Sequence, residues 1–81
     1  MTVRVIFFAA AKEILGTDHL EIQMTPGASV ADLNQHLATE HPELAELVKA
    51  SNWSVNQVYA QSDQVLSDGD EVGMIVPVSG G

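Results

Sequence analysis

The side chains able to do chemistry in this chain of 81 residues are eleven carboxylates and three histidines; there is no cysteine. Their spacing is poor for catalysis. His36 lies on a predicted helix with Asp32 four residues before it and Glu40 four after. Residues so spaced share a helix face, the geometry of a weak metal site. His41 turns away from His36, and no spacing matches a zinc pattern. The histidines are therefore read as solvated polar residues, with no metal site. Asp68, Asp70 and Glu71 surround Gly69 and are read as solvating a turn. No GxxxxGK phosphate loop occurs. Without cysteine there is no disulfide, thiolate nucleophile or cysteine-ligated metal. A self-contained enzyme with its own cofactor is not expected.

The remaining reactive group is the end of the stretch IVPVSGG, residues 75–81. By composition alone a Gly-Gly ending arises in roughly half a percent of chains. A frayed end or a cloning remnant is the bland reading. Glycine lacks Cβ, so Gly80 and Gly81 allow close approach to another backbone or a nucleotide. Four extended residues, Val78 to Gly81, reach about 13 Å beyond a domain. That is thin enough to thread a partner's channel and present a terminal carboxylate. Activated as an acyl-adenylate, this carboxylate becomes an electrophile for a sulfur or amine nucleophile.

Those residues need a scaffold, and the bulk numbers bound it. A single domain is expected, with residues 1–77 folded and 78–81 a flexible tail. Hydrophobic residues make up 46% of the chain, against disorder. No secretory leader or membrane-length apolar run is seen, so a cytoplasmic location is expected. The net charge is −8, with Arg4, Lys12 and Lys49 as the only basic residues. That excludes nucleic-acid binding, which rests on Lys and Arg neutralising phosphates. It favours solubility, and steering towards a basic partner surface.

Patterning predicts the elements. Residues 3–9 form a strand, with Val3, Val5 and Phe7 on one side and Arg4, Ile6 and Phe8 on the other. A short helical turn follows, stopped at Gly16. Residues 19–24 alternate as a second strand. Ser29 and Asp32 approximate a capping box for a main helix buried through Val30, Leu33 and Leu37. Pro42 suits the first turn of a short second helix with Leu44, Leu47 and Val48 inward. Two strands turn about Asn56 and Gln57. The last strand puts Val72, Met74 and Val76 on one face and releases the chain near Pro77. The class is α+β, with helices on one face of a mixed sheet. If Val5, Phe7, Val72 and Met74 face the helices, then Ile6, Phe8 and Ile75 face away. A contiguous apolar patch of this kind marks a binding surface.

The blocks VRVIFFAAAKEILGTD, VNQ and LSDGDEVGMIVPVSGG, together with the length, resemble the molybdopterin synthase small-subunit family. These are ubiquitin-like sulfur carriers of the β-grasp fold. The resemblance covers essentially the whole chain, and its most specific part is the DGDEV…PVSGG ending. It implies that an E1-like adenylyltransferase uses ATP to activate the Gly81 carboxylate. A sulfur donor, such as a cysteine desulfurase or rhodanese-type protein, then converts it to a thiocarboxylate. The tail enters the synthase large subunit and gives sulfur to cyclic pyranopterin monophosphate, within a heterotetramer. It also implies Gly80, Ser79 and Val78 as tail residues and Ile6, Phe8, Ile75 and Pro77 as partner-facing. Two positions depart from the family pattern: Val76 where a first proline is usual, and Lys12 where arginine is common. Both bear on partner pairing. Competing readings are a carrier for thiamin or amino-acid synthesis, a modifier joined to lysines through Gly81, and an inert interaction module. Thiamin carriers are typically shorter and lack much of the 42–48 helical segment.

Overall fold

Alternation along the first strand sets the geometry of the whole domain. In the computed structural model, which describes residues 1–77, Val3, Val5 and Phe7 are buried while Arg4 is exposed and Ile6 half-buried. Successive strand residues point to opposite faces, so this pattern gives the strand a core side and an outer side. The order is β1 (Thr2–Phe7), α1 (Ala9–Leu15), β2 (His19–Gln23), α2 (Val30–Glu40), a 3-10 turn (Pro42–Leu44), α3 (Ala45–Ala50), β3 (Asn52–Val55), β4 (Val58–Ala60) and β5 (Glu71–Ile75).

The five strands pair in the order β2-β1-β5-β3-β4. β1 and β5 run parallel in the centre, and the other pairs are antiparallel. The mixed sheet and the α+β class match the expectation. The core joins Val3, Val5, Phe7, Val72 and Met74 of the sheet to Leu33 and Leu37 of α2 and Leu44 of the 3-10 turn. Each large apolar side chain so buried contributes roughly 1.5–3 kcal/mol relative to exposure.

Local signals explain the element ends. The Ser29 hydroxyl accepts from the Asp32 N–H at 3.3 Å, and the Asp32 carboxylate accepts from the Ser29 N–H at 2.9 Å. Aspartate thus completes the capping box. Two further N–H groups at the start of α2, of Val30 and Ala31, donate to the Gln64 and Ser62 carbonyls at 2.9 Å each. The loop after β4 therefore satisfies donors that a helix start leaves unpaired. Gly16 ends α1 in the left-handed region at φ 74°, and its N–H donates to the Lys12 carbonyl. Asn56 and Gln57 both have positive φ, 51° and 71°, as a two-residue hairpin with the twist of its strands requires.

Four expectations are corrected. The first strand stops at Phe7 rather than residue 9, because Ala9 takes φ 47° and swings the chain into α1. The early helical turn is a helix of seven residues. The second helix divides into the 3-10 turn and α3. The final strand ends at Ile75; Val76 lies beyond it, half-buried and packed on the core.

Candidate partner face and tail exit

The strand register lines up one row across the outer face. His19 pairs with Ile6, Ile6 with Gly73, Gly73 with Ser54, and Ser54 with Tyr59. Because β1 and β5 are parallel, Phe8 and Ile75 lie just beyond this row at the same end of the sheet. Phe8 is 52% exposed and Tyr59 77%. Ile6 and Ile75 are half-buried, and Pro77 is exposed. Of the predicted partner-facing residues, Ile6, Phe8 and Ile75 are thus brought to one end of one face, and the exposed Pro77 follows two residues after β5.

Gly73 sits in the middle of this surface for a steric reason. A Cβ there would stand 2.6 Å from Ser54 Oγ and 3.9 Å from Phe8 Cε2. The Phe8 ring therefore leans towards the Gly73 backbone, and the absent side chain keeps the centre of the patch low. Ala9, in the left-handed region, is what turns the chain immediately after Phe8. Such a conformation is uncommon for a residue with a Cβ and costs about 1 kcal/mol or more.

The opposite end of the outer face is charged. Arg4 is flanked by Glu21 on β2 and Glu71 on β5. Arg4 is exposed, and among the described residues no ion pair includes it. Beside the patch, His19 Nδ1 lies 2.7 Å from Asp18 Oδ1. The hydrogen bond from His19 holds the Asp18 carboxyl below its ordinary value of 3.8.

The carboxylates around Gly69 do more than solvate a turn, correcting that expectation. Asp68 Oδ1 accepts from the Thr2 N–H at 2.8 Å. Asp70 Oδ2 accepts from the Ser67 N–H at 2.8 Å, and its Oδ1 accepts from Asn56 Nδ2 at 3.0 Å. Asn56 Oδ1 in turn accepts from the Glu71 N–H at 3.0 Å. The SDGD turn thereby ties β1, the β3–β4 hairpin and β5 together, fixing the strand that leads to Pro77. Among the described residues no group of three or more His, Asp or Glu is arranged to hold a metal.

Val78, Ser79, Gly80 and Gly81, the predicted tail and its sulfur-bearing end, lie outside the described residues. Sequence reasoning missed Tyr59 and His19 as members of the outer row. The alternation of Val58, Tyr59 and Ala60 against β3 carried the signal for Tyr59. His19 required the β1–β2 register.

Comparison with known proteins agrees with this geometry. The ThiS family profile matches residues 5–81. The molybdopterin synthase sulfur carrier subunit of Chlamydomonas reinhardtii is 35% identical, with 100% of both chains covered. Among solved structures, a putative molybdopterin converting factor subunit 1 from Pyrococcus furiosus superposes with a TM-score of 0.86 at 32% identity, covering 96% of this chain and 99% of that one. SAMP1 from Haloferax volcanii gives a TM-score of 0.87 at 25% identity, with 100% of both chains covered. The ubiquitin-like β-grasp expectation is met in the sheet order, the helix layer and these likenesses. The profile match and the end-to-end identity show that the chain belongs to the ThiS family, among the molybdopterin synthase sulfur carrier subunits.

Proposed function

We propose that residues 78–81 are a tail carrying sulfur as a thiocarboxylate on Gly81, and that the outer apolar patch seats the carrier on its partners. The observation that carries this reading is the position of the patch. Ile6, Phe8 and Ile75 occupy the end of the sheet where β5 hands the chain to Pro77. A partner seated on the patch sits within reach of whatever follows Pro77.

The chemistry follows from a carboxylate's poor electrophilicity. An E1-like adenylyltransferase joins the Gly81 carboxylate to AMP from ATP, releasing pyrophosphate. A sulfur donor of the cysteine desulfurase or rhodanese type then attacks the carbonyl carbon with the outer sulfur of its cysteine persulfide as AMP leaves. A second thiol cleaves the resulting acyl disulfide, releasing the thiocarboxylate and forming a disulfide with the donor cysteine. The tail, slim at Gly80 and lined by Val78 and Ser79, enters the large subunit of molybdopterin synthase. There the sulfur passes to cyclic pyranopterin monophosphate. The relatives' designation as a subunit supports a second chain, and a heterotetramer in the cytoplasm is the setting proposed. The net charge of −8 favours partner surfaces that are basic around the docking site. No described helix is long and apolar enough to cross a membrane.

Intact-mass measurement of the chain from its own host, beside a variant lacking Gly81, tests the reading. One terminal oxygen exchanged for sulfur in the first and absent from the second is the expected result. A free carboxylate alone, with the activating enzyme and sulfur present, overturns it. A second reading draws on the likeness to small archaeal modifier protein 1 of Haloferax volcanii, 25% identical with a TM-score of 0.83. In that reading a lysine amine of another protein captures the Gly81 adenylate. Accumulation of Gly81–lysine conjugates in place of the thiocarboxylate selects it.

A further inference from the structure

Two neighbouring residues beside the outer patch go against local stability. Phe8 occupies the N-cap of α1 and makes no side-chain hydrogen bond to the helix. Serine, threonine, aspartate or asparagine there would satisfy one of the unpaired N–H groups of the first turn. Ala9, the first residue of α1, has φ 47°, a conformation that glycine or asparagine adopts at lower cost. A large aromatic ring is also left exposed at Phe8. When a sequence gives up a cap and a relaxed backbone at adjacent positions, the compensating gain is to be found in function.

The geometry shows what is gained. The Phe7 N–H donates to the Asp18 carbonyl at 2.8 Å, which keeps β1 tied to its neighbour up to its last residue. Phe8 is still extended, with φ −126° and ψ 158°, so its side chain falls on the face opposite buried Phe7. Two residues beyond Ala9 the chain is already in the core, where Ala11 is fully buried. Ala9 makes that reversal. A chain that stayed extended there would carry residue 10 onto the outer face, beside Phe8. The Phe8 carbonyl accepts from the Lys12 N–H at 3.4 Å as α1 begins. Phe8 is thereby held from the strand on one side and the helix on the other. Its Cε2 lies 3.9 Å from the point where a Cβ on Gly73 would stand. Ala9 is itself exposed, so its contribution is the direction of the backbone.

We infer that Ala9 is a positioning residue of the partner patch: its left-handed backbone makes Phe8 the last residue of the outer face and holds the ring beside Gly73. This rests on the docking reading above and deepens it. The patch is formed before the partner arrives, so docking does not have to immobilise the Phe8 ring.

The test compares Ala9→Gly, which accepts positive φ, with Ala9→Val, whose branched side chain resists it. NMR of the unmodified chain should show a single Phe8 χ1 rotamer and a nuclear Overhauser contact between the Phe8 ring and the Gly73 Hα. Ala9→Gly should keep that contact and melt at or above the temperature of the unmodified chain. Ala9→Val, with the rest of its spectrum native, should lose the contact and bind the synthase large subunit about tenfold more weakly by calorimetry. A Phe8 ring that averages over rotamers in the unmodified chain overturns the inference without recourse to variants. So does an Ala9→Val chain that binds as tightly as the unmodified one, or that binds weakly with the Phe8 contact intact. Phe8→Ala separates this inference from the reading beneath it. Undiminished binding by Phe8→Ala overturns the docking reading and the inference with it. Weak binding by Phe8→Ala with full binding by Ala9→Val overturns the positioning role alone.

Discussion

The two faces of one sheet are made from alternate residues of the same strands, and they behave differently. On the inner face Val3, Val5, Phe7, Val72 and Met74 are at most 1% exposed. On the outer face Phe8 is half exposed and Tyr59 mostly so. The inner face is apolar throughout, whereas the outer face gathers Ile6, Phe8 and Ile75 at one end and Arg4, Glu21 and Glu71 at the other, so large hydrophobic residues occur on both. What separates them is the helix layer: α2, the 3-10 turn and α3 cover one side, and no described helix covers the other. In an antiparallel or mixed sheet one covered face suffices for stability, and the other face is left free for a partner.

The comparison breaks most easily at its extremes. Phe7→Ala should cost about 3–5 kcal/mol, because the ring is fully buried and the cavity cannot collapse around it. Chemical denaturation measures it. A loss below about 1 kcal/mol would mean the inner face is not the stabilising one. Next door, Phe8→Ala should change stability by less than about 1 kcal/mol, being half exposed. It should weaken association with the synthase large subunit roughly 30-fold, as loss of an aromatic anchor worth about 2 kcal/mol does. Calorimetry on the two variants side by side reads both effects. Equal affinity for wild type and Phe8→Ala would place the partner elsewhere.

Gly73→Ala probes the centre of the outer face. Its Cβ would meet Ser54 Oγ at 2.6 Å, the mobile end of a small side chain. A cost of about 1 kcal/mol is expected, at the low end of overpacking. Ser54→Ala in the same chain should recover most of it. Failure of that rescue would put the strain in the backbone.

The smallest effect is at the margin of the patch. Asp18 is held below the ordinary carboxylate range by His19. A depressed folded-state value stabilises the fold above the unfolded-state value, and that contribution disappears as pH falls through the lowered one. The Asp18 carboxyl titration followed by NMR should therefore have its midpoint below 3.8 and move upward in His19→Gln. An unchanged midpoint would remove the pair from the description of this face.

Much of this was legible before the structure. The capping box at Ser29 and Asp32, the left-handed cap at Gly16 and the turn at Asn56 and Gln57 depend on residues within four positions of each other. Local chemistry settles such features wherever the chain goes. The inner residues followed from period-two and helical spacing. The departure at Ala9 was not legible, since alanine carries no preference for positive φ; the crossing from β1 into α1 imposes it. Nor was the role of Asp68 and Asp70, whose partners Thr2 and Asn56 are distant in sequence.

By itself, then, the sequence determined which residues alternate inward, the start of α2 at Ser29, the stop of α1 at Gly16, and the Gly80-Gly81 pair on which the sulfur chemistry is proposed. These depend on side-chain type and short spacing. Only the tertiary structure decided that β1 and β5 lie side by side and parallel, with Phe8, Ile6 and Ile75 gathered where β5 reaches Pro77. The same folding left Tyr59 exposed on β4, at the edge of the sheet. Strand order is a choice among long-range pairings that local propensities do not distinguish, and the shared core made by both ends of the chain selects one of them.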